Sequence, residues 1–213
     1  IVAEAPGAEE DQYGRPLIGV SGWETYRMLE DARWFPPGIS KHIIDNFHPW
    51  YDPIEKRMRI SNPNFLPLDQ ALDNAGVFIT NTCHERPPGN EIDLFFGNRI
   101  DAKRESLDNV FGRSPRRPII EGIQQLRNDI ERIRPKFILA LGNTALWALT
   151  GLTGITKWRG SILRVENGPV GNFGIKLIPT FHSADVLREW THRFVVVRDM
   201  VQANYERTFP EVR

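Results

Sequence analysis

The chain has 213 residues, a length that accommodates one medium domain with a substantial hydrophobic core. It is 40% hydrophobic and 25% charged, which is ordinary for a soluble globular protein, and no apolar run reaches the ~18 residues that cross a bilayer. The 27 basic residues balance the 27 acidic ones, which argues against a partner held mainly by bulk charge but allows a local basic face for nucleic acid.

The cysteine and histidine content limits which disulfides and metal sites the chain can form. One cysteine, Cys83, rules out an internal disulfide and any site that needs several thiolates. The histidines show no metal-ligand spacing, so we expect no metal and no cofactor. A single thiol is consistent with a reducing compartment, and we expect a cytoplasmic protein without a membrane segment.

Short apolar runs that end in turn or polar residues predict buried strands. There are four of them, at Ile1–Ala3, Gly76–Thr80, Phe137–Leu141 and Lys176–Phe181. Helical patterns follow at Gly22–Arg33, Leu68–Ala75, Ile119–Ile133, Thr144–Thr150 and Ala184–Arg207. Strands that alternate with helices indicate βαβ units, so the chain is predicted to be an α/β protein with a parallel sheet.

Two segments do not fit this alternation. Residues 35–67 are rich in Pro, Asn and aromatic residues and predict a long irregular insertion of the kind that forms lids or binding loops. Residues 99–117 predict a basic, partly helical insertion, although a solvated helix face explains its charges equally well. Because neither segment has the composition of a domain boundary, we expect one domain over residues 1–213.

The stretch from Val2 to Gly19 holds four carboxylates and three glycines directly after the first strand. Crowded acids repel one another unless they are solvated, bind a cation, or face a positive charge that forms during a reaction. The sequence of this stretch is neither a Walker loop nor a dinucleotide fingerprint, so a phosphate cradle and an ordinary strand-to-helix turn both remain open.

Polar residues follow all four predicted strands, as "EAPG", "NTCHERPPGN", "GNTA" and "HSAD". In open parallel sheets ligands bind outside the carboxyl ends of the strands, so these loops are expected to form one site. Asn81 offers an amide with a donor and an acceptor, and His182 offers a donor for a developing anion. Taken alone, each is more often structural, Asn81 as a cap or turn residue and His182 as a core histidine.

These blocks resemble the consecutive motifs of the uracil-DNA glycosylase superfamily, in particular its iron–sulfur branch, family 4. The matching blocks are "AEAPGAEEDQYGRPLIGVSG", "ITNTCHERPPGN", "RPKFILALGNTALWALTG", "GITKWRGS" and "PTFHSADVLR". The resemblance implies a three-layer α/β/α fold with a central four-stranded parallel sheet. It also implies a monofunctional enzyme that flips a nucleotide out of DNA and hydrolyses the bond between base and sugar, leaving an abasic site.

The resemblance assigns roles to individual residues. His182 matches the histidine that hydrogen-bonds the departing base, and Asn81 matches the asparagine that reads the pyrimidine edge. Glu4 and Glu10 match carboxylates of the first motif. Ala5 stands where other branches carry the residue that orients the attacking water. Glu10 is therefore the first candidate for the residue that orients the attacking water, followed by Glu4 or Asp11.

The same resemblance implies a DNA partner, single- or double-stranded, and we expect the chain to act as a monomer. Leu187 lies near the position of a residue that intercalates into the duplex. The loops that match DNA-contacting motifs contain Arg86, Pro87, Gly89, Asn90, Lys157, Arg159, Ser183, Leu187 and Arg188.

Three departures from the family pattern affect cofactor and substrate. Two positions that align with cluster cysteines carry Glu85 and Glu121, and Cys83 is out of register, so no iron–sulfur cluster is expected. Leu17 replaces the aromatic residue that stacks on uracil, a contact worth about 1–3 kcal/mol per base. Asp185 lies in the DNA-facing loop, where an acid is unfavourable unless it contacts a substrate hydroxyl or amine.

The sequence therefore predicts a DNA glycosylase for uracil or another altered pyrimidine. Leu17, Asp185 and the 35–67 segment together favour a base larger than uracil as one version of this hypothesis, such as the hydroxymethylated or glycosylated pyrimidines of some phage DNAs. Two alternatives are a catalytically inactive nucleic-acid-binding module of the same fold and an α/β enzyme that processes nucleosides or nucleotides.

Overall fold

The computed structural model describes residues 1–47, 49–52, 57–60, 64–209 and 211, and its centre is a mixed five-stranded sheet. The strands of this sheet are β1 (Val2–Ala3), β4 (Thr80–Asn81), β7 (Phe137–Leu141), β8 (Leu163–Arg164) and β9 (Lys176–Thr180). They lie in the order β4-β1-β7-β9-β8. All pairs are parallel except β8 with β9, which is antiparallel.

Helices connect and cover these strands. They are α1 (Ala8–Tyr13), α2 (Val20–Asp31), α3 (Ile39–Phe47), α4 (Leu66–Ala75), α5 (Arg99–Glu105), α6 (Arg117–Ile133), α7 (Gly142–Thr150), α8 (Ile155–Trp158), α9 (Ser183–Arg188) and α10 (His192–Glu206). Within the described ranges, no helix is long and apolar enough to cross a membrane.

The sheet separates two hydrophobic clusters, because successive residues of a strand point to opposite faces. Leu139 and Leu141 of β7 belong to one cluster, whose helical residues come from α2, α3, α4, α9 and α10. Ile138 and Ala140 belong to the other, which is built mainly from α6 and α7. This arrangement is a three-layer α/β/α fold, so the predicted fold class is confirmed.

Three elements of the fold differ from the sequence prediction. The strand predicted over Gly76–Thr80 is present only as β4, Thr80–Asn81. The short edge strand β8 was not predicted, since its two residues carry no apolar run. The helix predicted over Ala184–Arg207 is divided into α9 and α10. At the break, the Glu189 carboxylate accepts a hydrogen bond from the hydroxyl of Thr191, and such local side-chain bonds compete with helix continuation.

The 35–67 segment contains regular structure where an irregular insertion was expected. It holds α3 and an antiparallel pair of strands, β2 (Pro49–Asp52) and β3 (Arg57–Ile60). Residues 48, 53–56 and 61–63 of this segment lie outside the described residues. The 99–117 segment is partly helical through α5, and a short antiparallel pair, β5 (Phe96–Gly97) with β6 (Ser114–Pro115), joins its end to the residues before it.

A buried ion pair ties α10 to the loop after α8. The Nε atom of Arg159 donates to Oδ2 of Asp199 at 2.8 Å, and its Nη2 donates to Oδ1 of the same carboxylate. The Thr180 hydroxyl donates to Asp199 at 2.7 Å, so the acid links β9 as well. Burial raises the pKa of Asp199, whereas the bonds from Thr180 and Arg159 act to lower it.

Replacing Asp199 with Asn is expected to cost roughly 3–5 kcal/mol of unfolding free energy, because it leaves the Arg159 guanidinium without a counter-charge. The matched control is Glu131→Gln, which breaks the exposed ion pair with Arg127 on α6 and should cost about 0–1 kcal/mol. Urea denaturation of both variants measures the difference. Equal losses would contradict a stabilising role for the buried pair.

Candidate active site

Glu4 directly follows β1 and is fixed by the start of α7. Its Oε2 atom accepts a hydrogen bond of 2.7 Å from the hydroxyl of Thr144. Its backbone carbonyl accepts from the N–H of Cys83 at 2.9 Å, which continues the β1–β4 pairing past the strand ends. Thr144 therefore orients the side chain and the β4 side fixes the backbone, while the residue stays partly exposed.

Gly142 lies between Glu4 and His182. A Cβ atom at this position would lie 3.2 Å from the Cβ of His182 and 3.9 Å from Oε2 of Glu4. The backbone of Gly142 also has φ +89°, a conformation that strongly favours glycine. The carboxylate and the imidazole thus lie on either side of a backbone position that carries no side chain.

His182 follows β9 and caps α9. Its Nδ1 atom accepts a hydrogen bond of 3.1 Å from the N–H of Ala184, so in the neutral ring the proton lies on Nε2. Burial lowers the pKa of His182, the charge of Arg188 lowers it further, and Glu4 and Asp185 oppose the shift. The site therefore holds a neutral imidazole whose Nε2–H is a donor.

Asn81, the last residue of β4, lies beside the first motif because Ala3 is its partner in the sheet register. Its side chain is 6% exposed, and its amide makes no hydrogen bond to any residue that the structure describes. Together with Glu10 and Asp11 it lines a cavity of about 280 Å³. The amide is thus available for a ligand at the edge of the sheet.

Glu10 holds the first-motif loop together. Its carboxylate is 7% exposed, and Oε1 accepts from the N–H groups of Ile18 at 3.1 Å and Gly19 at 2.8 Å. Because Oε1 is bonded twice and the residue is buried, little of this carboxylate is open to water, so its placement does not favour the first-choice role predicted for Glu10. The neighbouring Asp11 is exposed.

Leu17 is part of the hydrophobic core. It is 4% exposed and belongs to the cluster on the α2 and α10 side of the sheet. Its backbone has φ +56°, and α2 passes so close that a Cβ at Gly22 would lie 1.9 Å from the Leu17 carbonyl oxygen. Ala5, the other predicted base-binding residue in this motif, is partly buried against the second cluster.

Several predicted DNA-binding residues are exposed at the same edge as the site. Arg86 donates to the Asn90 side chain at 3.0 Å, and Gly89 and Asn90 are exposed. Lys157 is exposed beside the ring of Trp158. Leu187, at 44% exposure, and Arg188 lie at the exposed end of α9.

Other residues predicted to touch DNA or substrate have different partners. Arg159 is bonded to buried Asp199, so its guanidinium is not free for phosphate. Ser183 is 1% exposed and accepts a hydrogen bond of 2.8 Å from the Thr25 hydroxyl. Pro87 is buried, and Asp185 contacts the His192 ring at 2.6 Å. These placements do not fit direct side-chain contacts with DNA, nor a free Asp185 carboxylate for a substrate hydroxyl.

The sequence prediction missed two residues that build the site. The "GNTA" motif was predicted to lie at the carboxyl edge of the sheet with the other site loops, but neither Gly142 nor Thr144 was assigned a role. Thr144 orients Glu4, and Gly142 permits the approach of His182. The glycine directly after the third strand was the available signal for a close backbone approach.

The fold and the site define an α/β protein with carboxylate, amide and imidazole groups at the carboxyl edge of its parallel strands. A family model for the uracil DNA glycosylase superfamily matches residues 1–204. The chain is also similar to the type-4 uracil-DNA glycosylase of Pyrobaculum aerophilum, with 26% identity over 192 residues, which cover 89% of this chain and 67% of that protein. The chain belongs to the uracil DNA glycosylase superfamily.

The residues present do not fit the four-cysteine iron–sulfur cluster of family 4. Burial raises the pKa of the Cys83 thiol to about 11, and its Sγ donates to the Glu85 carbonyl at 3.3 Å. Glu121, at the other aligned position, pairs with Arg117. In the described part of the chain, no group of three or more His, Cys, Asp or Glu side chains is placed to hold a metal ion.

His182 is expected to be neutral at pH 7, with its proton on Nε2, because its lowered pKa lies below the usual 6.5. Nitrogen-15 NMR of the imidazole ring measures both the charge and the tautomer. A His182→Gln variant assigns the resonance by its disappearance. A doubly protonated ring at pH 7, or a neutral ring with the proton on Nδ1, would contradict the geometry of the α9 cap.

Proposed function

We propose that the chain is a monofunctional DNA glycosylase that excises uracil or another altered pyrimidine by hydrolysis and leaves an abasic site. The observation that carries this proposal is the placement of Glu4 and His182 on either side of Gly142. This chemistry requires an acid near a sugar that becomes cationic and a donor near a base that leaves as an anion. Membership of the uracil DNA glycosylase superfamily supports the same reaction.

His182 would stabilise the departing base. A neutral imidazole donates its Nε2–H to a developing anion without adding a full positive charge to the resting site. The charge of Arg188, which acts on His182, would add a longer-range attraction for the same anion. Because Nδ1 already accepts from the Ala184 N–H, the ring proton is held on Nε2 without competition between tautomers.

Glu4 would act on the sugar and the water. Thr144 occupies its Oε2 atom, whereas Oε1 makes no hydrogen bond to a described residue and is free to accept from a water molecule. The negative charge of Glu4 would also stabilise the positive charge that develops on the sugar. We therefore rank Glu4 ahead of Glu10 as the water-orienting acid, with exposed Asp11 as the second choice.

Asn81 would read the flipped base. Its free amide can donate to one atom of a pyrimidine edge and accept from the next. Extruding a nucleotide costs a few kcal/mol, and exposed Leu187 is suited to fill the space that the nucleotide leaves. Lys157 and Arg188 are exposed cations of the predicted DNA loops, and with the half-buried Arg86 they would hold the backbone.

The target base is the least determined part of the proposal. A buried Leu17 supplies no aromatic face for stacking, which favours weaker uracil binding or a bulkier pyrimidine. Asp185 no longer supports the bulkier base, because it already contacts His192. Mass spectrometry of bases released from plain-uracil, hydroxymethylated and glycosylated oligonucleotides would decide the target. Excision of uracil at least as fast as of the modified bases would contradict the bulkier version.

His182→Ala is expected to lower the single-turnover excision rate by roughly 10²–10³, the usual cost of removing a donor to a developing oxyanion. Alkaline cleavage of a labelled strand measures the abasic sites formed. His42→Ala, at an exposed position of α3, is the control and should leave the rate unchanged. An unchanged rate in His182→Ala would contradict the assignment. Wild-type protein that binds every DNA of the panel but releases no base would indicate a binding module.

Thr144→Val is expected to lower the same rate by roughly 2- to 10-fold, because the lost hydrogen bond to Glu4 is worth about 0.5–1.5 kcal/mol. Thr144→Ser keeps the hydroxyl and should retain most of the rate. Thr144 is a positioning residue, so the loss should appear in the rate at saturating DNA while DNA affinity is unchanged. Equal rates in the two variants would remove Thr144 from the mechanism.

A further inference from the structure

Residues 91–116, here called the 91–116 segment, form an ordered unit beside the "RPPGN" loop. Arg116 closes the unit: its guanidinium donates to the carbonyl of Phe96 at 3.0 Å and pairs with Glu105 at 2.8 Å. The β5–β6 pair joins the two ends of the segment. The cations on α5 are thus carried on a fixed scaffold.

The 91–116 segment packs against the helix that orients Glu4. The guanidinium carbon of Arg113 lies 3.3 Å from the centre of the Phe96 ring and 5.7 Å from that of Trp147 in α7. Trp147 is one turn after Thr144, the residue bonded to Glu4. The charge of Glu4 also acts on Arg113. The segment therefore lies on the side of the fold that carries the candidate active site.

The cations of this region fall into two groups. Four are matched by acids: Arg104 by Asp101 and Glu105, Arg113 by Asp93, Arg116 by Glu105, and Arg117 by Glu121. Arg99 and Lys103 are exposed and make neither a hydrogen bond nor an ion pair with any described residue. Like charges at i,i+4 on a helix destabilise it slightly, and Arg99 and Lys103 have this spacing on α5 without a compensating acid.

Both free cations line an open cavity of about 620 Å³ on the 91–116 segment. The lining residues include a third cation, Arg113, and a single acid, Asp93, which Arg113 already neutralises. Neutral donors, the amides of Asn98 and Asn109, complete the polar lining. The cavity is thus positively charged, and side chains at i,i+4 on α5 project to one side of the helix.

We propose that this cavity binds backbone phosphates of the DNA that flanks the target nucleotide, with Arg99 and Lys103 as the contacting residues. The inference rests on the proposed function, since it takes DNA as the ligand. An open cavity with exposed cations suits a polyanion that extends across the surface, because phosphate contacts position the strand without reading its sequence. The position beside the "RPPGN" loop would extend the DNA contact beyond the flipped nucleotide.

The test compares Arg99→Ala/Lys103→Ala with a control of equal charge loss, Arg104→Ala/Arg117→Ala, which removes paired cations of the same region. Binding to a uracil oligonucleotide with a 2′-fluoro sugar, which resists hydrolysis, is measured by fluorescence anisotropy over a series of salt concentrations. Loss of two phosphate contacts should reduce the slope of log K against log salt by about 1.4 for a single strand and about 1.8 for a duplex. The control should leave the slope nearly unchanged.

Arg99→Lys/Lys103→Arg keeps both charges and should keep the wild-type slope. An unchanged slope in the double alanine variant, or an equal change in the control, would overturn the inference while wild-type excision leaves the proposed function intact. Wild-type protein that neither binds DNA nor releases a base would overturn both.

Discussion

The absence of a side chain at Gly142 controls the geometry of the whole site. Glu4 follows β1 and His182 follows β9, and these strands are not neighbours, because β7 lies between them in the sheet. Side chains that follow β1 and β9 can approach each other only across the end of β7. Gly142 occupies that end, and a Cβ atom there would lie 3.2 Å from the His182 Cβ, so a methyl group would displace its neighbour by a few tenths of an ångström.

The approach matters because of the charges that it brings together. A carboxylate close to an imidazole normally favours the imidazolium, and Glu4 does raise the pKa of His182. Burial outweighs this attraction, and Arg188 opposes it as well, so the pKa of His182 is lowered. The acid and the ring therefore do not neutralise each other as an ion pair. In the proposed reaction, the negative charge of Glu4 stays available for the sugar, and the ring stays available as a donor to the base.

Features that depend on interactions between residues close together in the chain could be predicted from the sequence. Apolar runs indicated the parallel strands, and the polar residues after them indicated the edge of the sheet that carries the site. Both signals lie within a few residues of the chain. The orientation of polar side chains depends on distant partners instead. The partner of Arg159 is 40 residues away and that of Ser183 is 158 residues away. A basic or hydroxyl residue in a DNA-binding motif therefore gave no sign that its side chain was already engaged in the interior.

Leu17 shows how the backbone and the first-motif acids act together. A leucine at φ +56° is strained by about 1–2 kcal/mol, and such a conformation persists only where its surroundings determine it. Two backbone N–H groups after Leu17 bind Glu10, and α2 presses against its carbonyl at Gly22, so the loop is fixed on both sides. The direction of the residue 17 side chain is therefore set by the loop and not by the side chain itself. Glu10 would therefore act by fixing the backbone of this loop, while Glu4 remains the proposed acid for the water and the sugar.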